Sequence, residues 1–226
     1  MWLRLSIIIP VLNEAAGITA TLEALQPLRR AGCDVVLADG GSSDGTRQAA
    51  GALYDQWLDA PAGRANQMNA GAAAAAGDLL LFLHADTRLP GEALPWLERF
   101  AASERLWGWF GVRLSGQRPL FRVIGWFMNR RSRLTGVATG DQALFVRRSL
   151  FEQVGGYAPI PLMEDVALCK SLRRHGRPFC IPAPVVPDSR RWEVNGAWRT
   201  IVLMWRLRWA YWRGESPAVL ARHYRR

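Results

Sequence analysis

Leu79–Pro90, LLLFLHADTRLP, is the stretch on which the reading of the fold turns. Leu79 to Leu83 run together without a charge, His84, Ala85, Asp86 and Thr87 follow, and Pro90–Gly91 breaks the segment. A short apolar run closed by polar and turn residues reads as a buried strand of a parallel sheet, since a strand covered on both faces has no polar side to show. In open α/β sheets, ligands collect just beyond the carboxyl ends of the strands. His84 and Asp86 therefore stand where a metal or phosphate ligand is useful. Asp86 as a cap of the next helix or turn explains the same residue equally well.

Upstream, Leu5–Leu12 (LSIIIPVL) predicts a first buried strand that ends at Pro10, Asn13 and Glu14. Ala15, Ile18, Leu22 and Leu25 recur at helical spacing, and Arg29, Arg30 and Gly32 supply a C-terminal stop. Asp34–Ala38 (DVVLA) predicts a second strand, so the sheet opens with a βαβ unit and is parallel there. The following loop, Asp39–Thr46 (DGGSSDGT), lacks the Gly-Lys-Ser/Thr of a Walker loop and does not match GxGxxG. An acid at the end of the second strand suits a base or ribose contact better than a phosphate contact, and Asp44 is placed to cap a helix starting near Thr46. Gly63–Ala76 reads as a loop entering an Ala-rich helix, with Arg64 exposed at its start.

Beyond the opening stretch, Glu92–Ser103 predicts a helix with Leu94, Leu97 and Ala101 inward, and Trp107–Leu114 a strand. Pro119–Thr135 mixes aromatics with arginines, either as an amphipathic helix packed on the sheet or as a surface that receives an acidic or lipid-linked substrate. Thr139–Arg147 is a polar loop followed by a strand, and Ser149 with Glu152 forms a capping box for a short helix. Glu164 and Asp165 open a helix whose apolar side carries Val166, Leu168, Cys169 and Leu172. Paired acids there favour the helix macrodipole; one facing a cleft also serves as a general base. Cys180–Pro187 carries three prolines, which predicts an edge strand or extended connector. Gly196–Gly214 sets Trp198, Trp205, Trp209 and Trp212 among arginines, the composition of an interfacial membrane helix, though such a helix can equally pack on the core.

Composition narrows the classes. At 226 residues the chain suits one domain. The net charge of +10, from 29 Lys+Arg against 19 Asp+Glu, is nearly all arginine and favours anionic partners: nucleotide phosphates, acidic membrane surfaces or nucleic acid. Three cysteines without a CxxC pair support neither a disulfide framework nor a zinc site and suit a reducing cytosol. The N-terminus has no secretory pattern, and no apolar run approaches the ~20 residues that span a bilayer. A soluble or peripheral protein is the expectation.

Four stretches in order, IIIPVLNE (Ile7–Glu14), ADGGSSDGT (Ala38–Thr46), LLLFLHADT (Leu79–Thr87) and MEDVAL (Met163–Leu168), resemble the family-two nucleotide-sugar glycosyltransferases of GT-A fold. The resemblance covers roughly residues 4 to 192. Within the family, HADT and SRRWE are similar to a small stand-alone subgroup often labelled arsenosugar-biosynthesis glycosyltransferases on genomic context. The resemblance implies an α/β, Rossmann-like GT-A fold: a mixed, mainly parallel sheet flanked by helices, with a C-terminal amphipathic helical segment. It divides the single domain 1–226 into a nucleotide-sugar-binding half (1–112), an acceptor and catalytic half (113–192) and a Trp/Arg-rich segment (193–226).

Function and roles follow from the same resemblance. It implies metal-dependent, inverting sugar transfer from a nucleotide-diphosphate donor, UDP-linked first and GDP-mannose second, to an unidentified acceptor for which a lipid-linked molecule is one option. Pro10, Asn13 and Glu14 would border the nucleotide, Asp39 would contact its base, and Arg64 would lie near the base or diphosphate. Asp86 would bind Mg²⁺ or Mn²⁺ as the acid of a DxD-type motif, and Asp165 would be the catalytic base with Glu164 beside it. Gly140, Asp141 and Gln142 would line the acceptor side, and Arg191–Trp192 take the place of the Arg-Trp of the QxxRW motif. Two positions depart from the family pattern. His84 replaces the first acid of DxD, leaving it a contact to phosphate, water or metal, and Asp188 replaces the Gln of QxxRW, which argues against a processive synthase. The expected location is cytoplasmic, with a peripheral position on the inner face of the cytoplasmic membrane through the C-terminal segment. Three rivals remain on the residues alone: a basic nucleic-acid-binding domain, a nucleotidyltransferase and a catalytically dead sugar-nucleotide sensor. The acids at strand ends argue against nucleic acid as a partner, and PVLNEAAG lacks the basic glycine-rich loop of a nucleotidyltransferase.

Overall fold

Three consecutive isoleucines, Ile7, Ile8 and Ile9, have no exposed surface in β1 (Leu5–Val11), which requires cover on both faces of the strand. The structure, a computed structural model, describes residues 4–116, 119–189 and 196–225. β1 pairs in parallel with β2 (Asp34–Asp39) and β4 (Leu79–Phe82), and β2 with β3 (Gln56–Asp59). The remaining strands are β5 (Thr87–Arg88), β6 (Trp107–Val112), β7 (Phe145–Arg147) and β8 (Phe179–Pro187). They assemble in the order β3-β2-β1-β4-β7-β6-β8-β5, one eight-stranded sheet that runs through both expected halves of the chain. β7 is antiparallel to β4 and β6, β8 is parallel to β6, and β5 is antiparallel to β8. The sheet is therefore mixed and mainly parallel, as expected.

The helices are α1 (Ile18–Arg30), α2 (Thr46–Ala50), α3 (Arg64–Ala74), α4 (Ala93–Ala101), α5 (Pro119–Thr135), α6 (Arg148–Gln153), α7 (Glu164–Leu172), α8 (Ala197–Trp212) and α9 (Pro217–Arg225). Alternate residues of each central strand feed opposite cores, as the two-residue period of a strand dictates. Ile7, Ile9, Leu79 and Leu81 join Leu22 of α1 and Phe100 of α4. Ile8, Leu80 and Phe82 join Met68 of α3 and Leu168 of α7. Each such fully buried side chain contributes roughly 1.5–3 kcal/mol relative to exposure. A Cβ on Gly71 would lie 2.5 Å from Ile8 Cγ2, so glycine here lets α3 settle on β1.

Three local expectations are corrected. Cys180–Pro187 is neither an edge strand nor a connector, because β8 lies between β6 and the two-residue β5. Its prolines are accommodated by a register shift opposite Phe110–Gly111 and by the shortness of β5. Ser149 and Glu152 form no capping box: α6 starts at Arg148 with no side-chain cap. Arg148 donates instead to the carbonyls of Ala72, Ala75 and Gly77, closing the C-terminal end of α3. In α4 the fully buried residues are Ala93, Leu97 and Phe100, with Leu94 and Ala101 only half-buried. Asp44 does accept from the Thr46 N–H (3.0 Å), although Gly45 is the residue flanking α2.

The C-terminal segment packs on the core through one face. Leu207 of α8 and Leu220 of α9 are buried with Met163 and Val166 at the start of α7. Trp198, Val202, Trp205, Trp209 and Trp212 line the opposite face of α8 and stay exposed. Among the described residues no helix is long and apolar enough to cross a membrane. Arg191 and Trp192 lie outside the described residues, with most of the SRRWE stretch.

Candidate active site

Beyond the end of β4 the chain turns back on itself, with the Thr87 N–H donating to the His84 carbonyl at 3.0 Å. The turn leaves Asp86 exposed, its Oδ1 accepting among the described residues only from the Thr87 hydroxyl (3.1 Å). The next helix begins at Ala93, so Asp86 caps no helix. The Asp86 carbonyl accepts the Asp188 N–H (3.1 Å), which ties this turn to the end of β8. His84 is half-buried with its ring on Gly140, where a Cβ would stand 2.3 Å from Nε2. Glycine at 140 is thus what admits the imidazole. His84 Nδ1 lies 3.6 Å from Asp141 Oδ1.

The facing wall is the start of α7. Met163 precedes it at a φ of +69°, a strained conformation for a residue with a side chain, and the helix then presents Glu164 and Asp165. Asp165 Oδ2 accepts the Gly140 N–H (2.9 Å) and Oδ1 the Val166 N–H (2.7 Å). Glu164 is buried; desolvation and the charge of Asp165 push its carboxyl above the usual range, with Arg64 and His84 pulling the other way. Arg64, at the first position of α3, has its surface open to the cleft while protein surrounds the guanidinium. Desolvation acts to lower its pKa, but Tyr224, Glu164, Asp141 and Asp165 raise it above the ordinary arginine value.

These groups border two adjoining cavities. The larger, about 560 Å³, is lined among others by Pro10, Glu14, Arg64, Gln67, His84 and Asp86. The smaller, about 160 Å³, adds Gly140, Asp141, Asp165 and Asp188 and shares Arg64, His84, Asp86 and Glu164 with the first. Residues as far apart in sequence as Pro10 and Asp165, 155 positions, so meet around one cleft at the carboxyl ends of the strands, with Tyr224 farther still along the chain.

Other expected site residues are placed differently. Asn13 and Asp39 do not line either cavity. Asn13, at a φ of +56°, accepts the Ser43 N–H (2.9 Å), and both Asp39 oxygens accept the Ser42 N–H (3.1 Å), so the two residues shape the loop after β2. Gln142 was expected on the acceptor side but is fully buried: its Oε1 accepts from the Ser132 hydroxyl (2.6 Å) and the Thr139 N–H (3.3 Å), fastening the 139–142 turn to α5. Three contributors escaped the sequence. Gln67, buried on α3, donates to the carbonyls of Val11 (2.7 Å) and Ala38 (2.9 Å) and holds the ends of β1 and β2 together; a glutamine on the inner side of an Ala-rich helix was its only signal. Ala221 and Tyr224 of α9 close the larger cavity from the C-terminal end.

The donor set fits a hard cation shared with a ligand. Among the described residues no three His, Cys, Asp or Glu side chains form a cage, whereas Mg²⁺-type sites take one or two carboxylates plus phosphate oxygens and water. Asp86, exposed at the mouth shared by both cavities, offers such a carboxylate. Thiolate chemistry has no support: burial pushes the thiols of Cys33 and Cys169 up to about 11 and about 12.

The profile of glycosyl transferase family 2 matches residues 6–155. An uncharacterized glycosyltransferase of Mycobacterium tuberculosis is 32% identical over 164 residues, covering 67% of this chain and 62% of the relative, so the chain spans less than two thirds of that protein's length. Among solved structures, the mannosyltransferase PcManGT from Pyrobaculum calidifontis, in complex with GDP-Man and Mn²⁺, superposes with a TM-score of 0.65 at 20% identity over 83% of this chain and 57% of that one. TarS of S. aureus, in complex with UDP-GlcNAc, gives a TM-score of 0.68 at 16% identity over 82% of this chain and 58% of that one. At these identities the likeness speaks for the fold.

Proposed function

This chain belongs to glycosyl transferase family 2, and from that footing we propose that it transfers a sugar with inversion from a nucleotide-diphosphate donor, UDP-linked first, in a metal-dependent reaction. The observation that carries this reading is the meeting of Arg64, Asp86 and Asp165, from three separate stretches, around one cleft. The larger cavity is the donor side, bordered by Pro10, Glu14 and Arg64, and the smaller the acceptor side, bordered by Gly140 and Asp141. The complexes of PcManGT with GDP-Man and Mn²⁺ and of TarS with UDP-GlcNAc support a nucleotide-sugar donor and a divalent cation.

Mg²⁺ or Mn²⁺, held by Asp86 and the donor's diphosphate, would supply positive charge opposite the leaving group. Arg64 adds a fixed cation on the same side of the cleft, its charged form favoured by the acids around it. Asp165 is held by the Gly140 N–H, which fixes its orientation toward the acceptor side. There it takes the proton of the attacking hydroxyl, so that a single displacement inverts the anomeric centre without a covalent enzyme intermediate. Asp188 at the Gln position of QxxRW supports a non-processive enzyme, and the exposed tryptophans of α8 support a peripheral position on the inner face of the cytoplasmic membrane.

Removing the base separates binding from chemistry. Asp165→Asn keeps nucleotide binding and loses transfer by the ~10²–10⁴-fold that general-base help supplies. A variant that transfers sugar at near the parental rate in a radiolabelled-donor assay overturns the assignment.

A further inference from the structure

A third cavity, about 480 Å³, opens between α5 and α8, with Ile124, Phe127, Met128, Ile201 and Trp205 on its walls. Thr139, Asp141, Met204 and Arg208 border both this cavity and the acceptor side, so the two are contiguous. Arg131 also lines it. Arg208 makes no hydrogen bond or ion pair among the described residues. Arg131 donates through Nη2 to Ser132 (3.2 Å), while its Nε is buried without a partner among the described residues. Burial and the charge of Arg208 lower the Arg131 pKa to about 10, with Asp165 and Asp141 acting the other way; burial also lowers that of Arg208. Two half-buried guanidinium groups on the wall of an apolar groove, one with its Nε buried and unpartnered among the described residues, are costly unless an anion completes them.

The mouth of the groove has a second character. Trp198, Val202, Trp205, Trp209 and Trp212 recur every three or four residues along α8, all exposed, and α5 adds Trp126, Phe127 and Leu134. The same helices carry exposed arginines, Arg122 and Arg130 on α5 and Arg199 and Arg206 on α8. Exposed tryptophan together with arginine is the composition of a helix lying in the interface of an anionic bilayer.

We propose that the acceptor is a phospholipid whose headgroup carries a free hydroxyl, with its acyl chains along the α5–α8 groove, its phosphate on Arg131 and Arg208, and its hydroxyl at Asp165. The proposal rests on the transfer reading above. The headgroup oxygen bonds to the sugar's anomeric carbon as the bond from that carbon to the diphosphate oxygen breaks. The hydroxyl proton passes to Asp165, and the nucleoside diphosphate leaves with the bonding electrons. A neutral hydroxyl suits a wall bearing Asp141, Glu164 and Asp165, whereas a lipid phosphate acting as the nucleophile would bring its own charge against them.

The test is calorimetric titration of the full chain with monomeric dihexanoyl phosphatidylglycerol, with glycerol phosphate, which lacks the tails, and with dihexanoylglycerol, which lacks the phosphate. Phosphatidylglycerol should bind at least about tenfold more tightly than either, because only it fills both the groove and the arginine pair. Arg131→Gln/Arg208→Gln should weaken it about tenfold or more while UDP–Mn²⁺ binding persists. Should that variant misfold, Arg208→Gln alone and Ile201→Asn, on the groove wall, carry the same expectation. Equal affinity for either truncated probe, or unchanged affinity in the folded variants, overturns the proposal. Phosphatidic acid, which has no headgroup hydroxyl, should bind without accepting sugar; transfer onto it refutes the hydroxyl assignment. If the parental chain binds no UDP–Mn²⁺, the donor reading fails, and the lipid titration still judges the groove by itself.

Discussion

Asp86 and His84 stand two positions apart at the end of one strand and do unequal work. Asp86 is exposed to both cavities and, among the described residues, has one side-chain hydrogen bond, to its neighbour's hydroxyl, which leaves it placed to take a cation. His84 is half-buried against Gly140 and Asp141 and orders the wall. Asp86→Ala should therefore abolish Mn²⁺-dependent donor binding in a calorimetric titration, whereas His84→Ala should only weaken it. Glu164 makes a different kind of statement. Its carboxyl is raised in the folded state, so the native protein holds that proton more tightly than the unfolded chain and ionisation costs stability as pH rises. Glu164→Gln should accordingly raise the unfolding temperature at neutral pH, with the gain shrinking as pH falls toward the ordinary carboxyl range. A variant less stable than the parent at neutral pH would show that the Arg64 and His84 attractions outweigh burial and Asp165.

The 139–142 turn is the element on which the proposed base, Asp165, depends. Gln142 holds it to α5 through Ser132, and Gly140 passes that placement on to Asp165 through its N–H. Gln142→Leu strands the Ser132 hydroxyl and the Thr139 N–H, and should cost about 1–3 kcal/mol in denaturant unfolding. It should also lower kcat more than donor affinity, since the donor cavity does not touch this residue. The turn shows where sequence reading stops. β1, β2 and β4 were legible because both of their faces are apolar, whereas the residues alone left Asp86 open to capping and Asp165 open to the helix macrodipole, and only the family resemblance gave each a role. Gln142 was expected to line the acceptor side, and its burial follows from a contact ten positions back on α5. β8 was misread because three prolines argue against an interior strand, and only its partners reveal the register shift that admits them. The role of Arg148 was hidden for the same reason, because the carbonyls it caps lie more than seventy residues away.

At the scale of the molecule, the C-terminal helices make the catalytic domain and the apolar surface one body. α8 and α9 bury Leu207 and Leu220 on α7, and Tyr224 reaches back to the donor cavity. The sequence offered two fates for this segment, membrane or core. The helix has a face for each, packed on one side and lined with exposed tryptophan on the other. Tyr224→Phe, which keeps the ring packed on the α7–α8–α9 cluster, should lower donor affinity if the hydroxyl contacts the donor while leaving the unfolding temperature nearly unchanged, which paired binding and melting curves would report. The claim beneath all of this is that one cleft binds a nucleotide-sugar and a divalent cation together. Thermal melting of the full chain with UDP-, GDP-, dTDP- and CMP-sugars, each with and without Mn²⁺, measures it directly. Stabilisation by one nucleotide class, seen only when Mn²⁺ is present and absent from Asp86→Ala, is the predicted result. Equal stabilisation without the cation, or none by any nucleotide-sugar, would contradict it.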